Sequence, residues 1–154
     1  MQKLERKNDF FYGSIAGIIG AIVKYAFNEL AQFLGLAKYD NNATALTVVF
    51  SSYQNTPFYW LLGLIHAVMI GAFFGVLLAF IFDHILTPEH YLFKGIGYGI
   101  FLYLLNFGVM AKVFDYPAEI ASLPSDVIIM LLSLILYAVV TAYTLKKIGF
   151  WQTD

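Results

Sequence analysis

The feature that most restricts this chain is the run from Phe58 to Ile81, which contains no Asp, Glu, Lys or Arg. Crossing a hydrocarbon core of about 30 Å takes roughly 20 residues of helix at about 1.5 Å per residue, so this run can span a bilayer. Three further segments qualify, from Phe11 to Gly35, Leu92 to Phe114 and Asp126 to Tyr143. Aromatic residues gather at the ends, among them Phe10, Phe11, Tyr12, Tyr59, Trp60, Tyr91, Phe93, Phe114, Tyr116, Phe150 and Trp151. Amphipathic rings settle at headgroup depth, which accounts for that placement. Only 12% of the residues are charged and 60% are hydrophobic, whereas soluble domains carry charge on about a quarter. A water-soluble chain of this size buries only about 70% of its surface and could not hide four such runs. The sequence therefore predicts an all-α polytopic membrane protein, a four-transmembrane-helix bundle forming one domain over residues 1–154, with a long outer loop at about 38–57.

Charge asymmetry sets the expected orientation. Lys3, Arg6 and Lys7 precede the first helix, Lys94 flanks the loop between the second and third, and Lys146 and Lys147 follow the fourth. Lys38 and Lys112 stand on the opposite side, so the excess of basic residues places both termini in the cytoplasm. The basic start followed by an apolar run also resembles a signal peptide with Gly35 and Ala37 as a small-residue pair. Lys24 and Glu29 interrupt that reading, and an uncleaved first helix is expected. The third helix is expected to begin with Thr87 as cap, Pro88 in the first position and Glu89 against the positive helix end; Pro124, Ser125 and Asp126 open the fourth in a similar way. Thr44 to Phe50 is apolar but too short to cross, so it is expected to lie on the membrane or to cover the bundle.

Lipid tails give helices no hydrophobic reason to associate, which leaves close approach through small residues as a main source of packing. Gly13, Gly17 and Ala21 recur every four residues on the first helix; Ala67, Gly71, Gly75 and Ala79 do so on the second, and Gly95 and Gly99 on the third. The first three helices are thus expected to make the tight contacts, and the fourth, with Ala138 and Ala142, to pack more loosely or to face lipid. A faint internal repeat aligns Phe11, Gly13, Gly17, Ile18 and Lys24 with Phe93, Gly95, Gly99, Ile100 and Asn106, the pattern a duplicated hairpin would leave.

The runs GSIAGIIGAIVKYAFNEL, LFKGIGYGIFLYLLNFGVMAKVF and LYAVVTAYTLKK together resemble small bacterial multi-pass membrane proteins of the YqhR type. The resemblance implies residence in the bacterial cytoplasmic membrane, and it supplies no functional residues to carry over. The small-residue run leading into Val23 and Lys24 is also similar to YagU-like inner-membrane proteins, without their longer proline-rich outer loops.

Polar side chains at membrane depth are costly and mark the places to look for function. Lys24 lies past the midpoint of the first helix, with Asn28 one turn later on the same face. His66 interrupts the most apolar run, and Asn106 continues the glycine stripe of the third helix. Counted along their helices, Lys24, His66 and Asn106 reach a common depth of roughly 18 Å from the inner side. We therefore take Lys24, Asn28, His66 and Asn106 as a candidate intramembrane polar cluster. The loop between the second and third helices could gather Asp83, His84, Glu89 and His90, although solvated loop ends are the ordinary state of such residues. Ser133, Tyr137 and Thr141 form a hydroxyl stripe that bonds to the preceding turn can satisfy.

The chain has no cysteine, which removes disulfides, thiolate metal sites and cysteine nucleophiles together. A net charge of −1 offers no face for nucleic acid. No phosphate loop, paired-histidine zinc motif or nucleophile elbow occurs, so no cofactor and no enzymatic activity is expected. The leading expectation is a non-enzymatic accessory or structural membrane component, whose partners are the lipid bilayer and a second copy or another membrane subunit. A small oligomeric transporter or channel using the intramembrane polar residues is the alternative, and a membrane enzyme acting on a lipid is the third.

Overall fold

The computed structural model describes residues 8–38, 44–46, 56–87, 89–113 and 124–151. Four helices are long and apolar enough to cross a membrane: α1 (Asp9–Phe33), α2 (Pro57–His84), α3 (Tyr91–Val113) and α4 (Pro124–Lys147). Their ends follow from local chemistry. Asn8 caps α1 by accepting from the Phe11 N–H at 3.1 Å, and Thr56 accepts from Tyr59 ahead of α2, whose first residue is Pro57.

Two glycines close helices at positions the hydropathy pattern does not mark. Gly35 adopts a φ of 70° and Gly149 one of 76°. In both places the backbone forms the paired bonds of a Schellman motif: Gly35 N–H to Gln32 and Leu36 N–H to Ala31 end α1, while Gly149 N–H to Lys146 and Phe150 N–H to Leu145 end α4. Hence α1 stops at Phe33 rather than Gly35, and α4 continues past Tyr143 to Lys147. The second motif turns Phe150 and Trp151 back onto the bundle, where Phe150 meets Tyr12 and Trp151 meets Phe82 and Tyr91.

The start of α3 corrects the capping expectation. The helix begins at Tyr91, after His90 in the left-handed region with no side-chain cap, and Thr87 instead accepts two bonds from Lys94 Nζ, at 2.6 and 2.9 Å. Pro88 lies outside the described residues. Further along, α3 changes winding, with residues Asn106–Met110 forming a π-helical turn before the helix resumes at Ala111–Val113.

The packing order corrects the expectation for the fourth helix. Extensive interfaces join α1 with α2, α1 with α4 and α3 with α4, whereas α2 and α4 meet over a short stretch and α2 and α3 form no comparable interface. The spatial order is α2–α1–α4–α3, and α4 is the most buried of the four. Its inward face carries Ser133, Tyr137, Ala138, Thr141, Ala142 and Thr144. Ser133 and Thr141 donate to the carbonyls of Met130 and Tyr137 on their own helix. A hydroxyl satisfied in this way behaves as a small side chain and lets backbones approach.

Gly13 and Gly17 of α1 meet Gly71, Gly75 and Val76 of α2, while Gly20 meets Tyr137 and Thr141 of α4. On α3, Gly95 and Gly99 meet α4 around Ala138 and Ile135. The main core, which includes Ala16, Leu78, Ala79, Phe82, Tyr98, Leu102, Tyr137, Ala138, Ala142 and Leu145, occupies the half of the bundle nearest the termini. We call that the terminal end and its opposite the far end.

Candidate functional site

The open arrangement leaves a cavity of about 420 Å³ between α2 and α3, backed by α1 and α4. Lys24, His66 and Asn106 all line it. Each reaches it for a traceable reason. Lys24 follows Ala21 on the inward face of α1; His66 is the one interruption in the apolar run of α2; Asn106 opens the π turn of α3. By residue count at about 1.5 Å each, Lys24 and His66 both lie roughly 14 Å below the far ends of their helices, and Asn106 roughly 10 Å below its own.

Asn28 belongs elsewhere. It is 1% exposed on α1 and absent from the cavity lining, so the structure brings together three of the four candidate residues. Lys24, Asn28, Thr44 and Asn106 all have interaction partners. The His66 ring is held by its own helix: Nδ1 lies 2.8 Å from the Leu62 carbonyl oxygen. A carbonyl only accepts, so Nδ1 carries a hydrogen and donates it.

Two parts of the lining have no clear signal in hydropathy. Residues 44–46 are helical and buried, and Thr44 and Ala45 join the cavity at its far side. This short piece of the apolar segment 44–50 therefore covers the bundle; the remainder lies outside the described residues. The second is Tyr137. Rather than bonding the preceding turn, its hydroxyl donates across the bundle to the Gly71 carbonyl. Tyr98 makes a related bond, its hydroxyl donating to the Phe74 carbonyl at 2.9 Å and tying α3 to α2 below the cavity.

At the terminal end a second polar group forms, with membership different from that expected. Glu89 and His90 are exposed at the start of α3 and take no part. Instead His84 Nδ1 lies 3.8 Å from Asp9 and 3.6 Å from Asp83. The same nitrogen donates to the Phe80 carbonyl at 3.1 Å, so it is committed as a donor and the group reads as an electrostatic tie between the ends of α1 and α2.

A family model matches residues 3–149 of the chain under the description conserved membrane protein YqhR. The chain belongs to the YqhR family. Comparison with curated proteins and with solved structures gives no match. The matched span includes all four helices and every residue of the cavity, so the YqhR model covers Lys24, His66 and Asn106 alike.

Proposed function

We propose that this protein is a non-catalytic membrane component that holds a small hydrophobic or amphipathic molecule of the bilayer in its intramembrane cavity. The observation that carries this is the cavity between α2 and α3, apolar over most of its lining and polar around Lys24, His66 and Asn106. Its volume falls within the roughly 300–1,000 Å³ usual for small-molecule sites. Met69 and Phe73, both in the lining, are 62% and 60% exposed on the outer face of α2. The cavity therefore reaches the side of the bundle that meets lipid.

Two other readings have less support. A transport path would have to continue to the terminal end, and that half is filled by Phe82, Tyr98, Leu102, Ala138, Ala142 and Leu145. A hydrolytic or transfer site needs a nucleophile beside a base. The described lining contains no Ser, Asp, Glu or Cys; its hydroxyls are those of Thr44 and Tyr137, and that of Tyr137 is committed to the Gly71 carbonyl. In this reading the termini face the cytoplasm of a bacterial cell, because Lys94, Lys146 and Lys147 lie at the terminal end.

The test is native mass spectrometry of the protein released from mild detergent, comparing wild type with Ala67→Phe. Ala67 lines the cavity and is partly buried, so a phenyl ring there fills the space. The expected result is a bound small molecule on the wild type and its loss from a folded A67F. Equal retention by both proteins would remove the cavity as the site.

A further inference from the structure

We infer that the far segment of α3, from the π turn at Asn106–Met110 to Val113, is a lateral gate to the cavity, moving about that turn while the rest of α3 stays fixed. The inference rests on the ligand-holding reading above for what passes, and it adds the route of entry.

The fixed part of α3 is held at several levels. At the terminal end Trp151 bridges α2 and α3, its ring centroid 4.8 Å from that of Phe82 and 5.7 Å from that of Tyr91. Lys146 Nζ lies 4.8 Å over the same Tyr91 ring. Gly95 and Gly99 then bring the α3 backbone against α4 around Ala138 and Ile135. In the middle, the Tyr98 hydroxyl donates to the Phe74 carbonyl at 2.9 Å, and Leu102 is buried in the main core.

These ties stop at the π turn. Gly95, Tyr98, Gly99 and Leu102 are the buried residues of Tyr91–Leu105, whereas no residue from Asn106 to Val113 is buried. Among the described residues, this far segment forms no extensive interface with α1, α2 or α4. It packs through Phe107, which rests with Tyr103 on Met130 of α4, and an unbranched thioether yields to a neighbour that shifts. A segment with few buried apolar contacts opens at low cost.

The turn itself is suited to act as the joint. The Asn106 N–H is shared between the Leu102 and Tyr103 carbonyls, and the Ala111 N–H reaches back five residues to the Asn106 carbonyl. A carbonyl has two lone pairs, so a change between i→i+5 and i→i+4 bonding exchanges backbone bonds without losing them. At about 1.5 Å per residue the segment is about 12 Å long. A kink of about 20° at a π turn moves its end by about 4 Å, roughly the contact distance of two carbon atoms. That motion bears on the cavity, because Asn106 and Met110 line it from α3 while Met69 and Phe73 line it from α2. Met69 and Phe73 are exposed, so displacing the segment from α2 widens the opening on the side that meets lipid.

The experiment places pairs of spin labels in the full chain, which has no native cysteine, and reads their separation by double electron–electron resonance in phosphatidylcholine vesicles. The gate pair is Leu30→Cys with Val113→Cys. The reference pairs are Leu30→Cys with Ile128→Cys near the far end and Phe11→Cys with Phe93→Cys at the terminal end, all at exposed positions. The gate pair is expected to give a distance distribution at least twice as wide as either reference. Ala67→Phe, which fills the cavity, should shift the gate pair to longer distances and leave the references unchanged; should A67F fail to fold, Ala67→Leu replaces it. A gate pair as narrow as the references would overturn the gate and leave the ligand-holding reading to its own test by mass spectrometry. A wide distribution that the filled cavity does not shift would also overturn it, marking a loose helix end. A distribution that shifts, in a protein that carries no copurifying molecule, would support the gate and remove the ligand-holding reading.

Discussion

Gly75 and Gly97 are the same residue type on successive transmembrane helices, and the space around each makes opposite demands. A Cβ built at Gly75 would collide with the Gly13 carbonyl and the Gly17 backbone of α1, whereas one at Gly97 would meet nothing within 4 Å. Gly75→Ala must therefore push two backbones apart, and we expect a loss of about 2–3 kcal/mol, seen as a lower unfolding temperature in detergent. Gly97→Ala is expected to gain about 0.5–1 kcal/mol, because alanine restricts the unfolded chain and suits a helix. The spacing of Gly13, Gly17, Gly71 and Gly75 made their seam legible, since small residues every four positions face one way. Tyr137 was not legible in the same manner. Its bond to the Gly71 carbonyl joins two helices that meet over only a short stretch, and no spacing within α4 encodes that. Tyr137→Phe removes this bond while keeping the ring, and should cost about 1 kcal/mol in the same assay, in line with other interhelical bonds in membranes.

At the scale of elements, the existence of the four helices followed from length and hydropathy, while their ends depended on caps. Gly35 and Gly149 stop α1 and α4 because each can take a positive φ at the C′ position, and Thr87 gives up a capping role to Lys94. The fourth helix was misjudged because Ser133, Thr141 and Thr144 count as polar in a sequence. Once Ser133 and Thr141 bond their own backbone they pack as small residues. The π turn at Asn106–Met110 had no signature at all, since nothing in the run NFGVM distinguishes i→i+5 from i→i+4 bonding. It has a consequence for the cavity, because Asn106 and Met110 both line it from the two ends of that turn. Such turns occur often at functional positions. Deleting Gly108, around which a Cβ would meet nothing within 4 Å, should let the segment wind as an α-helix, removing the widened turn that carries Asn106 and Met110 to the cavity. Helix content by circular dichroism is expected to stay nearly constant while retention of the copurifying molecule falls. Undiminished retention would show that the π turn does not shape the cavity.

The whole bundle is an open ring, and the opening has a relation to the repeat seen in the sequence. Gly13 and Gly17 set α1 against α2, and the aligned Gly95 and Gly99 set α3 against α4. A bundle with strict two-fold symmetry that also packs α1 on α4 would have to pack α3 on α2. That last interface is the one not formed, and the cavity occupies its place. This explains why Lys24 and Asn106, matched in the repeat, face a common space without their helices being direct neighbours; equal depth could be counted along the chain, but the intervening helix could not. The absence of cysteine allows the order α2–α1–α4–α3 to be tested directly. An ideal Cβ at Gly95 lies 3.3 Å from the Val139 Cα, which puts the two Cα atoms inside the roughly 7 Å limit for a disulfide, so a Gly95→Cys, Val139→Cys pair should oxidise to a crosslink between α3 and α4. The corresponding Lys24→Cys, Asn106→Cys pair spans the cavity with α4 behind it. It is expected to resist direct oxidation and to join only through a longer bifunctional linker, and prior filling of the cavity by Ala67→Phe should slow that reaction. A direct disulfide between positions 24 and 106 in a correctly inserted protein would mean that the ring closes between α1 and α3, with no space there for a ligand.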